Sequence, residues 1–131
     1  MDSKLIAPCG MNCNICYAHL RYKDVCSGCA GNADNLFKYC AKCIIRNCEY
    51  LKSSNEKFCF SCPAFPCKRL KQLDKRYRTN YRMSMIENLA AIKDKGLEVF
   101  LRSEKMKWKC ACGALISCHW RECRVCGKTL T

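Results

Sequence analysis

Cysteine content constrains the fold of this chain more than any other feature, since 16 of its 131 residues are Cys. A Cys content above roughly 8–10 % is typical of a scaffold held together by disulfides or metal ions. The sequence has no segment typical of a signal peptide and no run of about eighteen apolar residues. We therefore expect a cytoplasmic protein without a membrane span, whose thiols are reduced and whose small apolar core is stapled by bound metal.

The cysteines occupy two separate parts of the sequence. Eleven lie in residues 9–67, none in 68–109 and five in 110–126. The peptides YCAKCIIRNCEY and FCFSCPAFPCKR share the pattern C-x2-C-x4-C and start nineteen residues apart, which indicates a weak internal duplication. This distribution predicts a metal-stapled protein of helices and irregular segments, divided into three regions. Residues 1–67 form a Cys-rich region with several metal-binding knuckles. A basic helical segment over 68–107 packs on it, and residues 108–131 form a C-terminal module.

The C-x2-C pairs of the first region have the spacing of zinc knuckles. Two thiolates on one tight turn can both reach an ion at about 2.3 Å, and two such turns complete a tetrahedron. Sequence order pairs Cys13 and Cys16 with Cys26 and Cys29, and pairs Cys40 and Cys43 with Cys59 and Cys62. Spacing defines these half-sites but leaves their partners open.

Four residues of the first region remain outside this pairing: Cys9, Cys48, Cys67 and His19. They bring the region to twelve potential ligands, enough for three four-coordinate ions. A lone His three residues from a ligand is more often a surface residue or a hydrogen-bond partner of the site than a ligand, and we expect the same of His19. The unpaired cysteines are alternatively small buried hydrophobic residues.

The C-terminal region resembles a zinc ribbon or a rubredoxin-like pair of knuckles. It contains Cys110-x-Cys112-Gly113 and Cys123-x2-Cys126-Gly127, and each glycine can adopt the positive φ that such a turn needs. The first knuckle is one residue shorter than usual. Cys118 and His119 are further candidate ligands, and Leu115 with Ile116 before them predicts a strand.

Iron is the main rival to zinc as the bound metal. Cys9-x3-Cys13-x2-Cys16 has the spacing of the cluster loop in radical S-adenosylmethionine enzymes, and Cys62-Pro63 is similar to the end of a ferredoxin cysteine run. The rest of the sequence lacks the barrel of the former and the third closely spaced Cys of the latter. We therefore predict three or four zinc ions, with an iron–sulfur cluster as the alternative.

The cysteine-free middle of the chain has helical periodicity. Leu70, Leu73, Tyr77 and Tyr81 recur at spacings typical of one helix face. A second helix is predicted to start at Ser84, with Glu87 at the capping-box position, and to end at Gly96; its apolar side carries Met85, Ile86, Leu89 and Ile92. A third helix is predicted over LEVFLRSEKMKW, and Trp108 and Trp120 are expected to wall the small C-terminal core.

Several blocks of the sequence together resemble a known family. They are the opening LIAPCGMNCNIC, CSGC, CPAFPCKRLKQLDKRYR, YRMSMIENLAAIKDKGLEVFL and the Cys-rich tail, so the resemblance extends over nearly the whole chain. The family consists of small bacterial and archaeal proteins and is known as domain of unknown function three-seven-nine-five. The resemblance implies zinc binding through the cysteines and implies no particular activity. Cys110-Ala111-Cys112 departs from the C-x2-C knuckle expected in the tail.

A basic strip follows the first Cys-rich region. The formal net charge is +13, although each zinc site with four thiolates would offset about two of these charges. Seven cations with interleaved tyrosines lie close together at Lys68, Arg69, Lys71, Lys75, Arg76, Arg78 and Arg82. The strip is a candidate surface for nucleic acid or an acidic protein partner, and otherwise a solvated helix face that offsets thiolate charge.

The ligand types favour structural metal sites over catalytic ones. A catalytic zinc keeps an open position and usually has His or carboxylate ligands, whereas this chain has two histidines and abundant thiolate. We therefore expect a zinc-binding structural or interaction module and predict no catalytic residue. Two alternatives stay open: an iron–sulfur or thiol-redox protein using Cys9, Cys13 and Cys16, and a metal- or methyl-transfer enzyme with an exposed thiolate at Cys9, Cys48 or Cys67.

Overall fold

The protein is a small helical chain with long irregular segments. The structure, a computed structural model, describes residues 1–29, 40, 42–54 and 57–130. Its α-helices within these ranges are α1 (Tyr17–Leu20), α2 (Glu49–Ser53), α3 (Lys68–Asn80), α4 (Met85–Lys95) and α5 (Leu97–Lys107). Short 3-10 turns cover Ser3–Leu5, Cys13–Ile15 and Cys59–Ser61.

Extended structure is limited to isolated pairs of residues in the described part of the chain. The antiparallel bridges join Ile6 to Asn12, Lys109 to Leu115 and Glu122 to Thr129. The strand predicted at Leu115 and Ile116 is therefore wrong, because Leu115 forms one bridge without a neighbouring pair to extend it. The chain forms a tight loop between Lys109 and Leu115.

Helix α3 buries the face that its apolar periodicity predicts. Leu70 is fully buried, while Leu73, Tyr77 and Tyr81 are half-buried and pack against the core. The helix ends at Asn80, one residue before the last member of the stripe. The opposite face carries exposed cations, so α3 separates the core from a basic surface.

The start and end of α4 follow the predicted capping residues. Ser84 is the N-cap, and its Oγ accepts a hydrogen bond from the Glu87 backbone N–H at 3.0 Å. Gly96 closes the helix with φ of 88°, a conformation that glycine adopts without steric cost. Met85, Leu89 and Ile92 are buried as predicted, and Ile86 is half-buried.

A buried carboxylate ties α3 to α4. Asp74 is the acidic residue within the basic strip, yet its side chain is 2 % exposed. It accepts hydrogen bonds from Ser84 Oγ at 2.6 Å and from the Ile86 backbone N–H at 3.0 Å, and it forms a 2.7 Å ion pair with Arg78. Because buried charge is stable only when it is paired, this network fixes the angle between the two helices.

Buried polar side chains attach the N-terminal loop to the helices. Asn88 Nδ2 on α4 donates to the Gly10 carbonyl at 2.9 Å. Glu104 on α5 accepts from Asn12 Nδ2 and from Trp108 Nε1, both at 3.3 Å, and burial raises the pKa of this carboxyl. One cluster of buried residues consequently extends from Ile6 to Cys123.

The helices of this protein are short and amphipathic. Among the described residues, none forms a helix with the length and apolar character needed to cross a membrane.

Candidate metal centres

Four cysteines of the C-terminal region converge on one point. The sulfurs of Cys110, Cys112, Cys123 and Cys126 all lie within 4.8 Å of one another. Cys110 and Cys126 approach to 3.6 Å, and Cys112 and Cys123 to 3.8 Å. A tetrahedral ion with metal–sulfur bonds of about 2.3 Å keeps its sulfurs about 3.8 Å apart, so this group, the C-terminal cluster, fits a single metal ion.

Two similar turns build the C-terminal cluster. In the first, the Cys110 backbone N–H donates to the Ala114 carbonyl, and the Gly113 N–H donates back to Cys110, each at 2.8 Å. In the second, the Cys123 N–H donates to the Lys128 carbonyl at 2.9 Å, and the Gly127 N–H donates to Cys123 at 2.8 Å. Both glycines have positive φ, as their position after each knuckle predicts. The short C-x-C spacing therefore does not prevent convergence.

The backbone of the second turn favours the thiolate form of Cys123. Hydrogen bonds from the backbone N–H groups of Cys126 and Val125 lower the pKa of this thiol to about 6. Metal binding requires the deprotonated sulfur, so the turn prepares one ligand before an ion arrives. Cys123 is also buried, whereas Cys112 and Cys126 are exposed.

Seven N-terminal cysteines surround a cavity of about 170 Å3 between the N-terminal loop and α3. Tyr77, Arg76 and Leu73 of α3 form its other wall. This Cys13 cavity is lined by Cys9, Cys13, Cys16, Cys26, Cys29, Cys40, Cys43 and His19. The two pairs Cys13–Cys16 and Cys26–Cys29, which spacing assigned to one ion, thus line one cavity.

Cys13, Cys29 and Cys40 of the Cys13 cavity interact through hydrogen bonds. The Cys29 backbone N–H donates to Cys13 Sγ at 3.4 Å. A hydrogen bond with the Cys13 sulfur raises the pKa of the Cys29 thiol, and a hydrogen bond with the Cys29 sulfur raises that of Cys40. Such thiols share protons when no cation is present, and a bound cation would replace those protons.

His19 lies at the edge of the Cys13 cavity. Its Nδ1 lies 2.6 Å from the Cys26 carbonyl oxygen, which makes Nδ1 the hydrogen-bond donor. Metal-binding histidines commonly use one ring nitrogen in this way and offer the other to the ion. His19 is therefore suited either to bind a metal ion through its other ring nitrogen or to support the site through its hydrogen bond to Cys26.

The other four N-terminal cysteines line a second cavity of about 290 Å3. This Cys48 cavity is lined by Cys48, Cys59, Cys62 and Cys67. Burial, together with the negative charges of Cys67, Cys48 and Cys62, raises the pKa of the Cys59 thiol to about 12. The spacing-based pairing of Cys59 and Cys62 with Cys40 and Cys43 therefore differs from their arrangement, in which Cys40 and Cys43 line the Cys13 cavity instead.

Cys118 and His119 lie outside the C-terminal cluster. Cys118 is 2 % exposed, burial raises the pKa of its thiol to about 12, and its Sγ lies 3.6 Å from His119 Nδ1. His119 Nε2 lies 3.1 Å from the Tyr77 hydroxyl, and the rings of Tyr17 and Tyr81 contact the imidazole edge to face. The sequence indicates none of these contacts, which connect the C-terminal module to α1 and α3.

The basic strip lies on an exposed surface, but its tyrosines are engaged elsewhere. The seven cations are all exposed, namely Lys68, Arg69, Lys71, Lys75, Arg76, Arg78 and Arg82. The rings of Tyr77 and Tyr81 contact each other with centroids 4.8 Å apart and planes tilted by 57°, and both rings contact His119. Any contact of this surface with a polyanion therefore depends on the cations.

Comparison with known proteins identifies one relationship. A family model described as "Protein of unknown function (DUF3795)" matches residues 5–72. No curated protein and no solved structure gave a significant match. The matched segment contains the cysteines of both N-terminal cavities, whereas the C-terminal cluster lies outside it.

Proposed function

The chain belongs to the DUF3795 family of proteins of unknown function, and we propose that it is a zinc-stapled interaction module of a reducing compartment such as the cytoplasm. The observation that carries the zinc assignment is the approach of four sulfurs to within 4.8 Å in the C-terminal cluster. Four thiolates at tetrahedral spacing are typical of structural zinc, and they leave no open position for a substrate. The sixteen free thiols support a reducing environment.

Zinc in the C-terminal cluster substitutes for a hydrophobic core. Cys112 in the first knuckle and Val125 and Cys126 in the second are exposed, so the two turns bury little apolar surface. Structural zinc sites supply about 10–16 kcal/mol of apparent folding free energy, far more than such a short segment gains by burial. The N-terminal cysteines, in this proposal, are further thiolate ligands that hold the two cavities together.

Metal analysis of the protein purified without chelator under reducing conditions tests the zinc site. We expect Cys112→Ser to lose one zinc equivalent per chain, because the variant removes one of four ligands without disturbing a buried residue. Cys118→Ser is the matched control, since Cys118 lies in the same module but outside the cluster. Equal zinc content in the wild type and in Cys112→Ser would refute the assignment.

The exposed cations of α3 support the proposal that this surface binds a polyanion, either nucleic acid or an acidic protein. Asp74, the acidic residue of this strip, is buried and paired with Arg78, so it offsets that cation and not Lys71 or Lys75. Lys71 and Lys75 are exposed one helical turn apart. Phosphate contacts of such residues make binding strongly dependent on salt.

Charge reversal tests the basic surface of α3. We expect Lys71→Glu with Lys75→Glu to abolish salt-dependent binding of a single-stranded RNA oligonucleotide or of a polyglutamate peptide, whichever the wild type binds. Lys93→Glu with Lys95→Glu makes the same change in charge on exposed residues of α4 and should leave binding intact. Equal loss in both pairs would mean that net charge alone, and not this surface, attracts the partner.

A further inference from the structure

The Cys48 cavity has the ligands of a metal site without the spacing of a single-ion site. Among the described residues, the only group of three or more candidate ligands whose atoms all lie within 4.8 Å is the C-terminal cluster. Cys48, Cys59, Cys62 and Cys67 line one cavity, but their sulfurs do not meet that limit. For one ion to bind all four sulfurs at about 2.3 Å, the sulfurs would have to move closer to one another.

From this spacing we propose that the Cys48 cavity holds a [4Fe–4S] cluster, with Cys48, Cys59, Cys62 and Cys67 each bound to a different iron. In such a cluster four cysteines bind separate corners of a cube, so their sulfurs surround it without touching. The inference deepens the metal-binding function proposed above and rests on it only in taking these thiols as ligands. It assigns the cavity a different metal from the C-terminal cluster.

The four ligands come from three elements around the cavity. Cys48 is the N-cap of α2, and Cys67 is the N-cap of α3. Cys59 begins the 3-10 turn that Cys62 follows, and the Cys62 N–H donates to the Cys59 carbonyl at 3.0 Å. The Cys59 N–H donates to the Pro8 carbonyl at 2.9 Å, which anchors this turn to the N-terminal loop. Two helix N-termini and one 3-10 turn thus supply the four sulfurs that line the cavity.

The remaining walls of the cavity suit a cluster of iron and sulfide. Ile45, Leu51, Phe65 and Leu70 supply apolar surface, which limits the access of water to the site. Its volume of about 290 Å3 accommodates several atoms beyond a single ion. A cavity of this size around one zinc would leave the apolar walls without packing partners.

Positive charge at the same cavity offsets the charge of the ligands. A [4Fe–4S] cluster with four thiolates carries net negative charge. Lys68 and Arg69 line the cavity, and both belong to the first turn of α3. Cys67 is the N-cap of this helix, so the positive end of the helix dipole lies beside it. The beginning of the basic strip therefore has a role that does not require a partner.

Analysis of iron and acid-labile sulfide in the anaerobically purified full-length protein tests the proposal. We expect a brown protein whose Cys62→Ser variant loses about four irons and four sulfides per chain together with the visible absorption. Cys112→Ser is the matched control, since it should lose zinc and keep iron, sulfide and colour. Circular dichroism of both variants should retain the helical signal of α3, α4 and α5.

Two results would overturn the iron assignment. One is a wild-type protein without iron or sulfide after anaerobic purification and reconstitution with ferric iron, sulfide and a thiol reductant. The other is a Cys62→Ser variant with the iron and sulfide content of the wild type. The wild-type measurement needs no variant, so the proposal can be refuted even if Cys62→Ser misfolds. Zinc without iron contradicts this inference alone, whereas iron without zinc contradicts the function proposed for the C-terminal cluster.

Discussion

The C-terminal cluster and the Cys48 cavity each have four cysteines, but they arrange them differently. In the C-terminal cluster, two tight turns contribute two sulfurs each, and all four sulfurs fall within 4.8 Å. In the Cys48 cavity, the ligands belong to the ends of two helices and to a 3-10 turn, and the sulfurs surround about 290 Å3. In our proposals the same donor atom would serve different metal chemistry, because the backbone determines how closely the sulfurs approach.

The largest expected effect separates the metal-dependent C-terminal module from the rest of the protein. We expect Cys123→Ser with Cys126→Ser to remove the second knuckle and with it most of the roughly 10–16 kcal/mol that zinc contributes to local folding. Hydrogen exchange should then show lost protection over 109–130 and retained protection in α3 and α4. Retained protection over 109–130 would mean that packing, not metal, holds this module.

A glycine substitution tests whether packing positions the N-terminal loop independently of metal. Gly10 has φ of +92°, and a Cβ there would lie 2.6 Å from the Met85 carbonyl oxygen. We expect Gly10→Ala to lower the free energy of unfolding by about 3 kcal/mol, from backbone strain and the clash with α4. Gly96→Ala has similar strain and no neighbour within 4 Å, so it should cost about 1 kcal/mol in the same denaturation experiment. Equal costs would contradict the close contact.

The link between α3 and α4 affects both N-terminal cavities, because α3 contributes to the wall of each. We expect Asp74→Asn to cost about 2 kcal/mol, since it weakens the contacts with Ser84, Ile86 and Arg78. Metal release from the N-terminal region should accelerate, while the C-terminal cluster keeps its ion. Asp94→Asn, an exposed change on α4, should have no measurable effect. Faster metal release from the C-terminal cluster, with unchanged release from the N-terminal region, would contradict this prediction.

The smallest expected effect concerns the contact between the C-terminal module and α3. Burial lowers the pKa of His119, so the unfolded chain binds this proton at a higher pH than the folded one does. The stability contributed by neutral His119 is complete above about pH 6.5 and decreases below it, by up to about 1.4 kcal/mol per pH unit until the folded pKa is reached. Denaturation of wild type and His119→Gln between about pH 7.5 and 5.5 should show a shallower slope for the variant. Equal slopes would contradict the role of His119.

Local signals in the sequence predict the helices and the C-terminal turns well. The apolar stripe of α3, the Ser84 cap and the Gly96 stop each act within one or two turns, so neighbouring residues suffice to identify them. The glycines after Cys112 and Cys126 likewise indicate tight turns with positive φ. The family match over residues 5–72 confirms the resemblance for the Cys-rich region, and the rest of the chain lies outside that match.

Long-range contacts could not be predicted in the same way. Asp74 lies among the cations of the basic strip in the sequence, and its partners Ser84 and Ile86 come from the start of another helix, 10 and 12 residues away. Cys48 and Cys67 seemed unpaired because spacing describes the turn of a knuckle, whereas the packing of α2 and α3 determines which turns share a cavity. Asn12 and Asn88 bind partners more than seventy residues away, and no local pattern indicates such partners.

X-ray absorption of the anaerobically purified protein at the zinc and iron edges tests the central claim most directly. If sulfur spacing determines the metal, zinc should have four sulfur neighbours at about 2.3 Å and no nearby metal, while iron should have both sulfur and iron neighbours. Zinc should be present at one equivalent per chain. A protein with several zinc ions, each bound by four sulfurs, and no iron would contradict the account.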